Sequence, residues 1–270
     1  ALGVQRMVRR NALVRRLPAV ETLGCAQVIC TDKTGTLTVG EMTARKAVTA
    51  RRLYQISGEG YASEGVFLSD GIERPVSAEP LLSALLQVAA ACNDAELQDQ
   101  RGRPVVVGDP TEGALLVAAA KGGLSRAVIE SGMPRLRTLP FDSDRKRMTV
   151  VRQSPNGATA YVKGAPEVIL ERCTHLLTEH GPVDLSGTDR ARLAQAGALL
   201  ANDALRVLAL ARRPVPAPLP AEDSDSIEQG LVLIGLLGLQ DPPRPEAREA
   251  VAKCRRAGIK TVMITGDHPD

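Results

Sequence analysis

Apolar and polar positions along this chain repeat with two periods, and the two predict different elements. The run "QVICT" (27–31) is short, apolar and β-branched, which predicts a buried strand ending at Asp32. From there to about residue 60 the alternation is weak. "LLSALLQVAAACND" (81–94) has apolar residues three and four apart and predicts a helix. "GDPTEGALLVAAAKGG" (108–123) predicts a better-marked helix: Asp109 at the N-cap, Pro110 first, Glu112 third as in a capping box, Gly122 and Gly123 as the stop. Strands are expected at 147–153 and 159–164, joined by the hairpin signal "SPNGA". A helix over 165–177 follows, with Pro166 at its start. A polar stretch, 178–189, leads to a helix over roughly 189–203 and a strand at 205–213. The Pro-rich, then acidic segment 214–226 is expected to be loop. "LVLIGLLGL" (231–239) reads as a strand, 245–258 as a helix between Pro245 and Gly258, and "KTVMIT" (260–265) as a strand that ends at "GD".

The strands at 27–31 and 260–265 both stop in Asp-containing turns, yet lie at opposite ends of the chain, with a hairpin-bearing region between them. In doubly wound α/β sheets, sites form at the carboxyl ends of strands. Two such ends can meet at one site, which makes the middle an inserted domain. A chain of 270 residues has room for two domains. No internal repeat is visible.

Composition narrows the function classes. Hydrophobic residues make up 44% and charged ones 24%, as in ordinary globular proteins. Aromatics are only 2%, so the core must be Leu, Val, Ile and Ala. The net charge of +3 is mild, and the basic residues are not interleaved with aromatics, so nucleic acid is not expected as a partner. "RMVRRNALVRR" (6–16) holds five arginines and fits either a solvated terminus or a juxtamembrane segment. The longest apolar run, 231–239, is about half of what a membrane-crossing helix needs, and no signal-peptide pattern follows the basic start. Five cysteines without Cys-x-x-Cys spacing, and three scattered histidines, argue against a zinc site and for reduced thiols.

The stretch "CTDKTGTLT" (30–38) carries the candidate chemistry. A nucleophilic Asp32 must stay ionised, needs positive charge to approach a phosphate, and needs tight backbone to wrap the phosphoryl oxygens. Lys33 or a metal can supply the charge, and Thr34 to Thr38 with Gly35 supply hydroxyls and amides. "TGD" (265–267) offers a second hydroxyl, amide and carboxylate set. In the middle, "LPFDSDRKRM" puts Phe141 near Lys146 and Met148; taken alone, Phe141 reads as core. Lys163 ends a strand before a helix start, where either an anion-binding or a plain surface lysine fits.

A strand followed by "DKTGTLT" resembles the phosphorylation signature of the P-type cation-transporting ATPases. "LPAVETLG" (17–24), "KGAPE" (163–167), "DPPR" (241–244) and "MITGD" (263–267) follow the same family's order; "KGAPE" and "PFDSDRKRM" resemble its type II, calcium-pump-like members. The resemblance covers essentially the whole chain. It implies that Asp32 accepts the γ-phosphoryl group of ATP as an aspartyl-phosphate, and that its carboxylate and the Thr34 carbonyl bind Mg²⁺. It implies that Lys33 neutralises charge, that Thr265 and Gly266 contact the phosphoryl group, and that Asp267 lies near nucleotide and Mg²⁺. Phosphoryl transfer rests mainly on such positioning and neutralisation. It further implies an adenine pocket: Phe141 stacking, Glu112 bonding the adenine amino group, Met148 packing, Lys146, Lys163 and Gly164 lining it, and Arg206 near the phosphates. Ser143 departs from the calcium pumps, which often carry arginine there.

The fold implied is α/β. A partial haloacid-dehalogenase-like Rossmannoid phosphorylation domain (1–40 and 241–270) carries an inserted α+β nucleotide-binding domain (41–240) on an antiparallel sheet. Pattern alone suggests instead a βαβ unit running from 231–239 through the 245–258 helix to 260–265. The family's catalytic lysine, its "GDGxND"-type segment, the actuator domain and the membrane helices are not in the 270 residues, so those parts of a pump become the expected partners. The expectation is a cytoplasmic-side fragment of a multi-pass membrane protein, one that binds ATP without efficient turnover. Two rivals remain: a soluble haloacid-dehalogenase-like phosphatase with a large cap, and a binding module without enzymatic role. Against the first, Thr34 stands where such phosphatases place their acid/base aspartate, so an aspartyl-phosphate here should persist.

Overall fold

The computed structural model describes residues 2–9, 11–13, 15, 17–154, 157–215 and 224–264. The chain forms two compact units, 1–40 with 242–270, and 41–241. Elements are numbered along the chain. The first unit holds α1 (Leu2–Val8), α2 (Leu17–Gly24) and β1 (Val28–Asp32), and at the far end of the chain α9 (Ala247–Arg256) and β15 (Lys260–Ile264). β1 and β15 pair in parallel, from Val28 opposite Lys260 to Asp32 opposite Ile264.

The second unit runs β2 (Thr43–Val48), β3 (Leu53–Ile56), β4 (Phe67–Ser69), β5 (Ile72–Glu73), α3 (Pro80–Ala91), β6 (Glu96–Gln100), β7 (Arg103–Val107), α4 (Pro110–Lys121) and α5 (Arg126–Gly132). It continues with β8 (Arg135–Asp142), β9 (Arg147–Ser154), β10 (Gly157–Gly164), α6 (Pro166–Arg172), β11 (Cys173–Thr178), β12 (Gly181–Asp184), α7 (Gly187–Asn202), β13 (Arg206–Val215), α8 (Ser224–Ile227) and β14 (Leu231–Gln240). Its main sheet has the order β5-β4-β3-β2-β14-β13-β10-β9-β8, with β11 added to β14 and β12 to β11. Every pairing in it is antiparallel except β11 with β14. The large antiparallel sheet expected of the middle region is therefore present. β6 and β7 form a separate hairpin.

Helices cover both faces of the sheet. On one, Leu82, Leu85 and Leu86 of α3 and Leu115 of α4 pack with Tyr54, Leu210 and Leu237. On the other, Ile169 of α6 and Leu193 and Leu200 of α7 pack with Ala209, Leu233 and Leu236. A strand buried on both faces reads as a continuous apolar run, and this is why 231–239 does not alternate. Each such Leu contributes about 1.5–3 kcal/mol by leaving water. At Gly235 a Cβ would lie 2.2 Å from the Val48 carbonyl oxygen, so only glycine lets β14 approach β2 there.

Two expectations are corrected. Residues 165–177 are not one helix: α6 stops at Arg172, and Cys173–Thr178 is strand β11. Cys173, Leu176 and Leu177 are buried there, and pairing with β14 and β12 outweighs the local helical spacing. The pattern-only βαβ unit is also absent, because β14 pairs with β2, β13 and β11 whereas β15 pairs with β1. Of the 214–226 segment, 214 and 215 continue β13 and α8 is one helical turn, while 216–223, like Pro155 and Asn156 of the hairpin signal, lie outside the described residues. Among the described residues no helix is long and apolar enough to cross a membrane.

Candidate functional site

Within the second unit a cleft of about 410 Å³ opens where α4, the β8–β9 hairpin, β10 and β13 converge. Glu112, Phe141, Lys146, Met148, Lys163, Gly164 and Arg206 all line it, although they span almost a hundred residues of sequence. The structure thus brings together the whole set read as a nucleotide pocket.

The β8–β9 hairpin sets two of them. The Asp142 carboxylate accepts from the Asp144 and Arg145 amides, both at 2.9 Å, and these bonds, with Arg145 and Arg147 adding charge, lower its pKa. The Lys146 amide closes the turn on the Asp142 carbonyl at 2.7 Å, and Lys146 itself takes a positive φ of 51°. Phe141 stands on β8, and Lys146 is the last residue of the turn, just before β9 begins at Arg147. Phe141 is 59% exposed, so it is not the core residue that its type alone suggests. Met148, two residues into β9, is buried beneath. The exposed Ser143 sits in the same turn. A Cβ on Gly164 would lie 2.5 Å from the Lys146 carbonyl oxygen, so the end of β10 can close on this hairpin only as glycine.

α4 sets two more. Asp109 caps it, accepting from the Thr111 amide at 2.8 Å and the Glu112 amide at 3.2 Å. Glu112 does not close a capping box. Its Oε1 accepts from Lys163 Nζ and its Oε2 from the Asp94 amide at 3.1 Å. Lys163 is no surface lysine either: it is 6% exposed and also donates to the Cys92 carbonyl at 2.7 Å. Burial demands such pairing of both charges. Arg206 Nη1 donates to Thr111 Oγ1 at 3.1 Å, which holds its guanidinium at the start of α4. Asp94, Asp109 and Thr111 also line the cleft. Asp109 was legible only as a cap, and Asp94 only as the last residue of the helix expected over 81–94, which stops at Ala91.

The cleft therefore combines an exposed aromatic face, an apolar floor, a fixed carboxylate acceptor and three cations. That set suits a flat heterocycle with an amine and an anionic tail.

The motif residues belong to the first unit. Asp32 is the exposed last residue of β1, and Lys33–Leu37 forms a wide turn in which Gly35 takes a φ of +73°. Thr38 fastens the turn: its hydroxyl donates to the Lys33 carbonyl at 3.1 Å and accepts from the Gly35 amide at 3.0 Å. Arg244 reaches back, its side chain to the Gly35 carbonyl at 3.0 Å and its amide to the Leu37 carbonyl at 2.8 Å. The "DPPR" arginine thus braces the loop that follows Asp32. Thr34 is exposed beside Asp32. β15 ends alongside Asp32, and Thr265, Gly266 and Asp267 lie outside the described residues. Among the described residues no cluster of three or more His, Cys, Asp or Glu could hold a metal ion.

Comparison with known proteins gives a consistent picture. Residues 81–246 match the family described as P-type ATPase, cytoplasmic domain N. A calcium-transporting ATPase of Bacillus subtilis is 42% identical over 269 residues, 99% of this chain and 30% of that protein. A cation-transporting ATPase of Synechocystis is 44% identical over 279 residues, again 99% and 30%. An endoplasmic reticulum calcium ATPase of Aspergillus fumigatus is 38% identical over 307 residues, 99% and 32%. The chain thus spans about 30% of the length of the first two relatives.

Proposed function

Because the chain belongs to the P-type ATPases, we propose that it is the ATP-binding and phosphorylation region of an ATP-driven cation pump. The parent would sit in a cell membrane as a multi-pass protein, with this region on the cytoplasmic side and the rest of the pump as its partners. Residues 41–240 form the nucleotide-binding domain in this reading, and 1–40 with 241–270 form two segments of a haloacid-dehalogenase-like phosphorylation domain. The relatives do not favour a free-standing phosphatase.

Phe141 stacks on adenine over Met148, Glu112 accepts from the adenine amino group, and Lys146, Lys163 and Arg206 draw the triphosphate, with Gly164 leaving room at the wall. An Asp32 carboxylate oxygen attacks the γ-phosphorus, the bond to the ADP oxygen breaks, and ADP leaves an acyl phosphate behind. Lys33 offsets charge on the transferring group, and Thr265, Gly266 and Asp267 complete its surroundings. The Asp32 carboxylate and Thr34 carbonyl are hard oxygen donors of the kind Mg²⁺ takes alongside several waters, and would hold it. When bound, the ion neutralises phosphate charge. Thr34 carries no acid or base, so the acyl phosphate persists.

The observation that supports this most is the convergence of all seven expected pocket residues on one cleft. Calorimetric titration of the 270-residue chain should show saturable ATP binding that Phe141→Ala weakens about tenfold, the loss of one base–aromatic stack. Absence of binding, or a Phe141→Ala variant that binds equally well, would sink the pocket reading. Steady-state hydrolysis by the chain itself is expected to be negligible.

A further inference from the structure

The Glu112 carboxylate lines the cleft and is held there by its hydrogen bonds. Glu112 depends on the turn that follows α3. The Asp94 amide donates to Glu112 Oε2 at 3.1 Å, Asn93 Nδ2 donates to the Glu112 carbonyl at 2.8 Å, and the Cys92 carbonyl takes Lys163 Nζ, whose other bond is to Glu112 Oε1. One donor on each oxygen sets the plane of the carboxylate, and a carboxylate with about four lone-pair sites keeps capacity for a ligand's donor. The turn itself does not belong to the sheet. Arg135, at the start of β8 and not among the cleft's lining residues, grips it with both prongs: Nη2 donates to the Asn93 carbonyl at 2.7 Å, and Nη1 to the Asp94 carboxylate. Arg126 holds the next carbonyls, Asp94 at 3.2 Å and Ala95. Glu130 sits between these guanidiniums, 4.0 Å from Arg135 and 3.7 Å from Arg126, and pairs with the buried Arg152 at 2.9 Å. A fork of fixed geometry, itself held by a carboxylate, is what keeps a backbone turn in one place.

We propose that Arg135 is a positioning residue for base recognition: by fixing the 93–95 turn it orients the Glu112 carboxylate to accept a hydrogen bond from the exocyclic amine of the bound base. This rests on the ATP-binding reading, and goes beyond it by placing base selectivity under a residue that touches no ligand. Site geometry must hold within about half an ångström for such a bond to count, which a loosened turn does not provide.

The test compares ATP with purine riboside triphosphate, which lacks only the 6-amino group, by calorimetric titration of the 270-residue chain. The unsubstituted chain should prefer ATP by about tenfold, the value of one hydrogen bond to a charged group. Arg135→Ala should shrink that preference to about twofold while the affinity for purine riboside triphosphate stays within about twofold, since only the amine contact is lost. Arg135→Lys, which has a point charge instead of a fork, should fall between them. A purely structural arginine would weaken both ligands in parallel and leave their ratio unchanged, and that result overturns the proposal. Where Arg135→Ala does not fold, Arg135→Lys and Glu130→Gln read the same ratio, and a preserved preference in both overturns it. A chain that binds both nucleotides without preference overturns it too, whereas a chain that binds neither overturns the ATP reading on which it stands.

Discussion

At the scale of single residues, the cleft wall contains the ion pair of Lys163 and Glu112. Both are largely buried, and they face each other across the cleft wall with the Cys92 carbonyl and Asp94 amide as their other partners. Removing one member strands the other's charge away from water, which typically costs about 3–5 kcal/mol. Lys163→Met is therefore expected to lower urea-unfolding stability by about 3 kcal/mol, and the double variant Lys163→Met with Glu112→Gln to recover part of it. A loss below about 1 kcal/mol in the single variant would show that water reaches the pair and screens it. The same residues show what the sequence could tell. Asp109 as a cap was legible because its partners are two and three residues away. "DKTGTLT" was legible because a strand end, a glycine turn and a nucleophile are all local. Lys163 was not legible as buried, since its partner lies 51 residues away, nor was Arg135, whose partners lie 41 and 42 residues away. Residue type says nothing about such distant pairings until the sheet has formed.

Between elements, the junctions decide what the cleft looks like. α3 ends at Ala91, which leaves the Cys92 carbonyl to accept from Lys163, and α6 gives way at Cys173 to β11. The helical reading of 165–177 failed because Cys173, Leu176 and Leu177 keep the three-and-four spacing of a helix, and only pairing with the edge of β14 at Leu231–Leu233 decides for the strand. By contrast the helices at 80–91, 110–121 and 187–202 matched their expected places, each with a proline start or a side-chain cap to mark it. The two cysteines at these junctions make the arrangement measurable. Burial pushes the Cys92 thiol up to about 11 and the Cys173 thiol up to about 12, so neither is a thiolate at neutral pH. Cys25 and Cys30 are exposed. A thiol reagent at pH 8 should modify Cys25 and Cys30 quickly and leave Cys92 and Cys173 intact until denaturant is added, as read by peptide mass mapping. Rapid modification of Cys173 in the folded chain would contradict the β11 pairing.

For the whole molecule, the two units differ in how much structure they contain. The unit at 41–241 has a sheet covered on both faces and encloses the entire cleft. The other has a two-stranded parallel pair whose Val28, Ile29, Met263 and Ile264 are exposed. Parallel strands are ordinarily buried on both faces, and an isolated pair of strands is marginal in water. Ligand binding stabilises only the unit that holds the site, by about 2.7 kcal/mol when ligand is at one hundred times its dissociation constant. A polypeptide of residues 41–241 alone should therefore fold, bind ATP within about twofold of the 270-residue chain, and gain roughly 5–10 °C in melting temperature at that ATP excess. In the full chain, hydrogen exchange should run fast at the amides of 28–32 with or without ATP, and slow at β13 and β14, slower still when ATP is present. If the 41–241 polypeptide failed to fold, or bound ATP more than tenfold more weakly, the cleft would depend on residues outside the unit that lines it.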